Sequence, residues 1–315
     1  MILVTGGFGY LGGRICKSLI NSGNKVRIGT SRKNVSIPKE LSKCDVCEID
    51  LLKPQSLDIA CCGVTSVIHL AALGANDSDL YPERALAING TGTLNLLTSA
   101  VSNKVQKFIY FSSIHVYGAM LDGEINEETV PRPSNHYSIT HKLAEDYVLL
   151  ADRNNNISGS VLRLSNVIGS PLNKEVNCWS LVAHDLCRQV VKSKSMQLFS
   201  DREVRRDFIG IRNLCKIVSY CISDENVFDQ IKGDVVNITN GRSLSLNALI
   251  EIILDQSERL FNFTPKIQYN ASSKKNAGSL VISNQKAKRI GFDLESDLQG
   301  EINSLLLNCN KWFSS

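Results

Sequence analysis

The chain has 315 residues, 43% hydrophobic and 21% charged, and 35 Lys plus Arg against 31 Asp plus Glu leave a formal net charge of +4. These proportions exclude wholesale disorder and fibrous folds, and the length allows one enlarged domain or two of ordinary size. No run of five or six basic residues is present, so neither nucleic acid nor a membrane surface is expected as partner, whereas a small anionic ligand is compatible. Met1-Ile2-Leu3-Val4 leads straight into Thr5-Gly6-Gly7, without a basic n-region or about 18 consecutive apolar residues, and a cytoplasmic protein is expected. Ten cysteines are too sparse for a disulfide scaffold. Cys44 and Cys47 lie three apart in a strand-like stretch, facing opposite ways, so structural thiols are expected and no metal site.

In chain order, apolar runs predict strands over Ile2 to Val4, Lys25 to Ile28, Asp45 to Ile49, Val67 to Leu70, Lys107 to Phe111 and Ser160 to Leu164. Helices are predicted to begin near Tyr10, Ser56, Ala85 and Tyr137. This alternation is the pattern of βα units and predicts an α/β fold with a doubly wound parallel Rossmann sheet. After Leu164 the rhythm changes to a helix over Trp179 to Lys192, a strand over Val235 to Thr239 able to rejoin the sheet, a helix over Leu246 to Leu260, a strand over Lys266 to Tyr269 and a terminal helix. The expected division is a dinucleotide-binding domain of residues 1–165 and 205–240, with a smaller interleaved C-terminal lobe of residues 166–204 and 241–315 that binds substrate.

Thr5-Gly6-Gly7-Phe8-Gly9-Tyr10-Leu11-Gly12 joins the first strand to the first helix. Gly9 lets a pyrophosphate approach the backbone, Gly12 lets helix and strand pack, and the helix N-terminus offers free N–H groups. Gly29-Thr30-Ser31-Arg32-Lys33 ends the second strand without the acid that would accept from a ribose 2′-hydroxyl. Hydroxyl and cation there suit a 2′-phosphate, so NADP(H) is the favoured cofactor, held by Ser31 and Arg32; the alternative is a solvated basic loop and NAD(H).

Ordered landmarks continue along the chain: Asp50-Leu51, His69-Leu70-Ala71-Ala72, Asn89-Gly90-Thr91, Ser112-Ser113-Ile114-His115-Val116-Tyr117-Gly118, Tyr137, Arg163-Leu164-Ser165-Asn166 and Arg206-Asp207-Phe208. With these the sequence resembles the extended short-chain dehydrogenase/reductase family of nucleotide-sugar epimerases, dehydratases and reductases over essentially its whole length. The resemblance implies cofactor contacts from Gly6, Gly9, Tyr10, Leu11, Gly12, Asp50, Leu51, Ala71 and Ala72. It implies Tyr137 as proton-transfer residue, Ser113 as its partner on the reacting sugar hydroxyl, and Asn166 and Arg206 on a nucleotide diphosphate. Lys274 and Lys275 stand where the family often has a second arginine. A homodimer formed through the helices near Ala85 and Tyr137 is also implied.

The chain departs from the family at the position four residues after the tyrosine, where a lysine is usual and His141 stands here, with Lys142 next. Four residues turn an α-helix by about 400° and five by about 500°, so His141 shares the face of Tyr137 and Lys142 substitutes only through a π-bulge. An imidazole of ordinary pKa near 6.5 is a weaker electrostatic aid than an ammonium, though it is able to hydrogen-bond the cofactor ribose. His115 is a further catalytic candidate, or else an ordinary packed histidine. Ile114 and His115 replace the acidic pair of the family's 4,6-dehydratases, which disfavours dehydration. His69, His136 and His184 are expected to be structural or superficial. The expected activity is hydride exchange at C4 of a nucleotide-linked sugar, as a 4-keto-sugar reductase or as a 4-epimerase. A catalytically weak, dinucleotide-sensing binding protein is the alternative of another class.

Overall fold

In the computed structural model, which describes residues 1–119, 122–270 and 279–314, the apolar runs become strands of one parallel sheet. They are β1 (Ile2–Thr5), β2 (Val26–Thr30), β3 (Asp45–Glu48), β4 (Ser66–His69), β5 (Lys107–Ser113), β6 (Ser158–Leu164) and β7 (Val235–Ile238). Their order across the sheet is β7-β6-β5-β4-β1-β2-β3, with every neighbouring pair parallel. Chain direction across the sheet reverses between β1 and β4, and the crevice beyond their C-terminal ends is where such sheets hold ligands.

Side-chain alternation divides the strands between two helical layers. Ile2, Val4, Ile28, Ile109, Leu162 and Val236 pack with helix α1 (Tyr10–Asn21) on one face. On the other, Leu3, Val67, Phe108, Tyr110 and Val161 pack with α2 (Pro54–Cys61), α3 (Gly92–Ser102) and α4 (His136–Arg153). The helix expected from Ala85 differs from an ordinary one: Leu86–Thr91 is π-helical and buries Asn89 and Gly90.

The second lobe has its own core, formed by α5 (Val182–Ser193), α7 (Leu246–Phe261) and α8 (Leu298–Phe313), with α6 (Ile211–Ser223) returning to the large sheet beside α1. Arg205–Gly210, for which no strand was expected, pairs with Asn166–Ile168 and Ser243–Ser245 in a three-stranded sheet, and Ile209 reaches the main core. Two further ladders, Ser195–Leu198 with Lys266–Tyr269 and Gly123–Ile125 with Leu280–Ile282, were legible only for Lys266–Tyr269. Lys274 and Lys275 lie outside the described residues. No described helix is long and apolar enough to cross a membrane.

Candidate active site

The turn after β1 is closed by its glycines. Gly6 adopts φ +68°, a left-handed conformation that disfavours a side chain. A Cβ on Gly12 would lie 2.2 Å from the Gly6 carbonyl oxygen, so no larger residue fits between turn and helix. Gly9 caps α1 without a side-chain acceptor, and no acid occupies the first helical turn. The N–H groups there remain available to an anion, which fits the pyrophosphate of a dinucleotide. Leu11 packs against the main core, and Tyr10 sets its ring 4.7 Å from that of His184, so both side chains serve the fold and only their backbones face the turn. Ala71 donates its N–H to Thr5 Oγ1 at 3.2 Å, and Ala72 is exposed beside it.

At the end of β2, Ser31 and Arg32 are exposed, and the Arg32 N–H is held by Thr30 Oγ1 at 3.1 Å. Arg32 and Lys33 line a groove of about 380 Å³ together with Thr30, Val46 and Glu48. An acid therefore does line this groove, from β3 and not from β2, which inspection of the β2 end alone did not reveal. Asp50 is half-buried, accepting the Leu52 N–H at 3.0 Å and pairing with Lys53 at 3.4 Å. The Leu51 side chain is buried where a Cβ on Gly92 would meet it at 2.8 Å, so it fills core space and leaves only its backbone for a ligand.

Ser113 and Tyr137 are brought together by two local starts. Ser113 ends β5 and caps the turn Ile114–Tyr117, accepting the His115 N–H at 3.3 Å. Asn135 and Ser138 form a reciprocal capping box, with Ser138 N–H to Asn135 Oδ1 at 2.8 Å, and this fixes Tyr137 in the first turn of α4. Burial raises the Tyr137 phenol above its ordinary pKa, and a hydrogen bond with Ser113 pulls it partly back.

His141 stands edge-to-face with Tyr137, ring centroids 4.3 Å apart, whereas Lys142 reaches Asp146 at 2.5 Å on the outer face. Helix α4 runs from His136 to Arg153 without a π-bulge, which explains why the lysine does not take the fourth position. His141 is 4% exposed, and burial, with His115 as a lesser cause, lowers its pKa to about 4. The imidazole is neutral at pH 7 and supplies no cation to Tyr137.

Two buried networks hold this constellation. Thr93 donates to the Asn89 carbonyl at 2.6 Å, so it accepts from His69 Nε2 at 2.9 Å, and His69 Nδ1 accepts from Thr5 at 2.7 Å. Asn89 donates to Thr140 at 3.0 Å, and Thr140 donates to the Tyr137 carbonyl at 3.0 Å, which links the glycine turn to the tyrosine's own turn of helix. His69 is fully buried, its pKa pushed down to about 3 by burial and then by His141. Beneath α4, Arg163 makes bidentate bonds to Glu145 at 2.8 and 2.7 Å, and Glu145 also accepts from Ser112 at 2.6 Å. The Tyr117 ring covers the same guanidinium at 4.7 Å.

At the other end of the cleft, Arg206 is half-buried and its side chain has neither hydrogen bond nor ion pair among the described residues, and burial lowers its pKa. Its neighbour Arg205 is exposed, and its guanidinium is held on Ser243, through Nε on the hydroxyl at 3.0 Å and Nη2 on the carbonyl at 2.6 Å. Asn166 donates to the Asp207 carbonyl at 2.9 Å. Asp207 accepts from the Asn240 and Gly241 N–H groups, yet burial still pushes its pKa up to about 6. His115 is exposed, its ring 6.3 Å from that of Tyr137; partial desolvation and then the Arg206 charge lower its pKa. His136 is exposed, and His184 is buried with Nε2 on the Gly169 carbonyl at 3.0 Å.

Comparison with known proteins agrees with this geometry. The model of the NAD dependent epimerase/dehydratase family matches residues 2–239. A putative UDP-glucose 4-epimerase of Methanocaldococcus jannaschii is 27% identical over 306 residues, 95% of each chain. The GDP-6-deoxy-D-mannose reductase of Pseudomonas aeruginosa is 31% identical over 216 residues, 65% of this chain and 68% of that one. The structure of RMD from the same organism, complexed with NADPH, superposes with a TM-score of 0.80 at 23% identity over 98% of both chains, which speaks for the fold. With its glycine turn, its switch-point crevice and a family match across three quarters of its length, the chain belongs to the NAD dependent epimerase/dehydratase family.

Proposed function

We propose that the protein exchanges a hydride at C4 of a nucleotide-linked sugar, as a 4-keto-sugar reductase using NADPH. The observation that carries this reading is the placement of Tyr137 beside Ser113, near enough for the serine to pull the phenol pKa down, between a glycine turn suited to a pyrophosphate and the unpaired Arg206 side chain. A bound nicotinamide dinucleotide supplies the hydride donor or acceptor. Tyr137 Oη gives the proton to the sugar oxygen, or takes it, and Ser113 orients that oxygen by a hydrogen bond. Arg206 offers parallel charge-assisted bonds to the diphosphate, with Asn166 beside it. His115 is the candidate for contact with the sugar, and His141 for contact with the cofactor ribose. The first turn of α1, Ala71, Ala72 and Asp50 border the dinucleotide, with Ser31 and Arg32 on its 2′-phosphate. The homodimer expectation draws support from Leu86 and Ile139, 51% and 48% exposed on packed helices.

A second reading, the 4-epimerase with NAD, is favoured by Glu48, which lines the Arg32 groove and, as an acid, suits a ribose hydroxyl better than a phosphate. The test is to identify the copurifying dinucleotide by mass, then follow absorbance at 340 nm with a panel of nucleotide sugars and their 4-keto forms. Consumption of NADPH by a 4-keto sugar supports the reductase. Interconversion of two sugars without net absorbance change supports the epimerase. Dinucleotide binding without either reaction leaves the sensing protein as the reading.

A further inference from the structure

The residue that replaces the family's lysine has a partner that motif reading passed over. Tyr110, on β5, is 2% exposed and its hydroxyl lies 2.7 Å from His141 Nδ1. The other ring nitrogen, Nε2, is buried with no hydrogen-bond partner. A neutral imidazole carries one proton, and the two placements differ in what they leave unmade. If Nδ1 holds the proton, it donates to Tyr110, and both the tyrosine's own proton and the Nε2 lone pair are stranded in the interior. If Tyr110 donates, Nδ1 is satisfied, the phenol proton is used, and the donor left over is Nε2–H. Each arrangement strands one donor, but the first also strands the imidazole lone pair, a stronger acceptor than the phenol oxygen left free in the second, so the second arrangement is preferred.

We propose that Tyr110 is a positioning residue that locks His141 as its Nε2–H tautomer, making a fixed neutral donor for a ribose hydroxyl of the bound dinucleotide in place of the family's ammonium. This rests on the nicotinamide-dinucleotide reading above. The geometry gives the lock its stiffness. Tyr110 lies in register with His69 on β4, and its ring sits 5.7 Å from the His69 ring, which the Thr5 and Thr93 hydroxyls clamp from both sides. Tyr137 packs edge-to-face with His141, ring centroids 4.3 Å apart. The imidazole is thus held by its Nδ1 edge and by the Tyr137 ring, leaving Nε2 as the edge to present. The chain exchanges a mobile charged donor for an uncharged, pre-aimed one, and phenol acidification at Tyr137 is left to Ser113 and to the charge of a bound nicotinamide.

The test begins on the unaltered protein, where long-range ¹⁵N–¹H spectra of His141 without any ligand report the tautomer directly. A protonated Nε2 and an unprotonated Nδ1 are expected at pH 7; a protonated Nδ1 overturns the inference whatever the protein binds. Tyr110→Phe should give a mixture of tautomers and weaken the dinucleotide Kd, measured calorimetrically with NADPH and NAD, by about tenfold, the worth of one ordinary neutral hydrogen bond. His141→Gln, whose amide nitrogen falls near Nε2, should retain binding within about threefold, whereas His141→Asn, which places its amide near Nδ1, should lose about tenfold. Unchanged Kd in Tyr110→Phe, or Asn outperforming Gln, overturns the inference alone. Failure of the unaltered protein to bind either dinucleotide overturns this inference together with the functional reading beneath it.

Discussion

The two ends of the cleft satisfy their polar groups in opposite ways. Toward the glycine turn, Thr5, His69, Thr93, Asn89 and Thr140 bond to one another in an unbroken buried chain. Toward the second lobe, the Arg206 side chain has no protein partner among the described residues and His115 stands exposed. A saturated network makes a rigid platform whose disturbance is felt as lost stability, because buried polar groups left unmade are expensive. An unpaired, half-buried guanidinium stabilises nothing in the free protein and expresses itself through an anionic ligand. Substitutions at the first end should therefore move the unfolding midpoint, and those at the second should move affinity.

Tyr137 lies between the two, and its replacement gives the largest expected effect on the reaction. Tyr137→Phe should lower turnover by about 10²- to 10⁴-fold with little change in the urea midpoint; a variant retaining full turnover would remove the tyrosine from the chemistry. In the buried network beneath α4, Glu145→Ala strands Arg163, which is 3% exposed, and should cost about 3–5 kcal/mol in urea unfolding. The pH dependence of stability tests the saturated side. His69, His141 and His184 have pKa values held down to about 3, 4 and 4 against 6.5 when unfolded, so the unfolded chain binds about three more protons near pH 5. Asp207, raised to about 6 from 3.8, binds one more proton when folded and opposes one of them. Stability should accordingly rise with pH between about 4 and 6, by roughly 2–3 kcal/mol per unit; a flat profile would mean that these rings are charged in the native state.

On the receptive side the effects are smaller and of a different kind. Arg206→Ala should raise the KM for a nucleotide-diphosphate sugar by about 10- to 100-fold, the worth of charged hydrogen bonds, with dinucleotide affinity and folding midpoint unchanged. Arg205→Ala, which frees Ser243, should instead lower the midpoint. If the two arginines exchange these effects, the contrast between the cleft's ends fails. The smallest change is expected for Lys142→Ala, which loses an exposed pair with Asp146 worth about 0.3–0.5 kcal/mol. Turnover should fall far more for His141→Ala than for Lys142→Ala, and the reverse ranking would return the lysine to the site.

The large sheet was legible because its strands are short runs in a βα rhythm, and the six runs expected before Leu164, with Val235 to Thr239, became its strands, whereas Lys266 to Tyr269 formed a ladder of its own. The glycine turn and the shared face of Tyr137 and His141 were legible for local reasons of spacing. Three features were not. Arg205–Gly210 opens on two arginines and an aspartate that hide its pattern, and its partners lie far away in the chain. Glu48 reaches the Arg32 groove only because β3 pairs with β2 as the sheet's edge strand. Tyr110 reads as one more apolar residue of a buried strand, since the nitrogen that engages its hydroxyl belongs to a helix 31 positions later.

The position of β7 also bears on how the chain is made. β6 is covered on its outer edge by Val235–Ile238, and α5, α6 and two strands of the small sheet, Asn166–Ile168 and Arg205–Gly210, intervene in sequence. During synthesis the first six strands are in hand while β6 presents a row of unpaired N–H and C=O groups, a template for another chain. Closing that edge requires a long-range pairing, which is slow relative to local βα formation. Nascent chains halted before Val235 should therefore associate edge to edge, whereas chains extending past Ile238 should not, making the last strand a folding checkpoint.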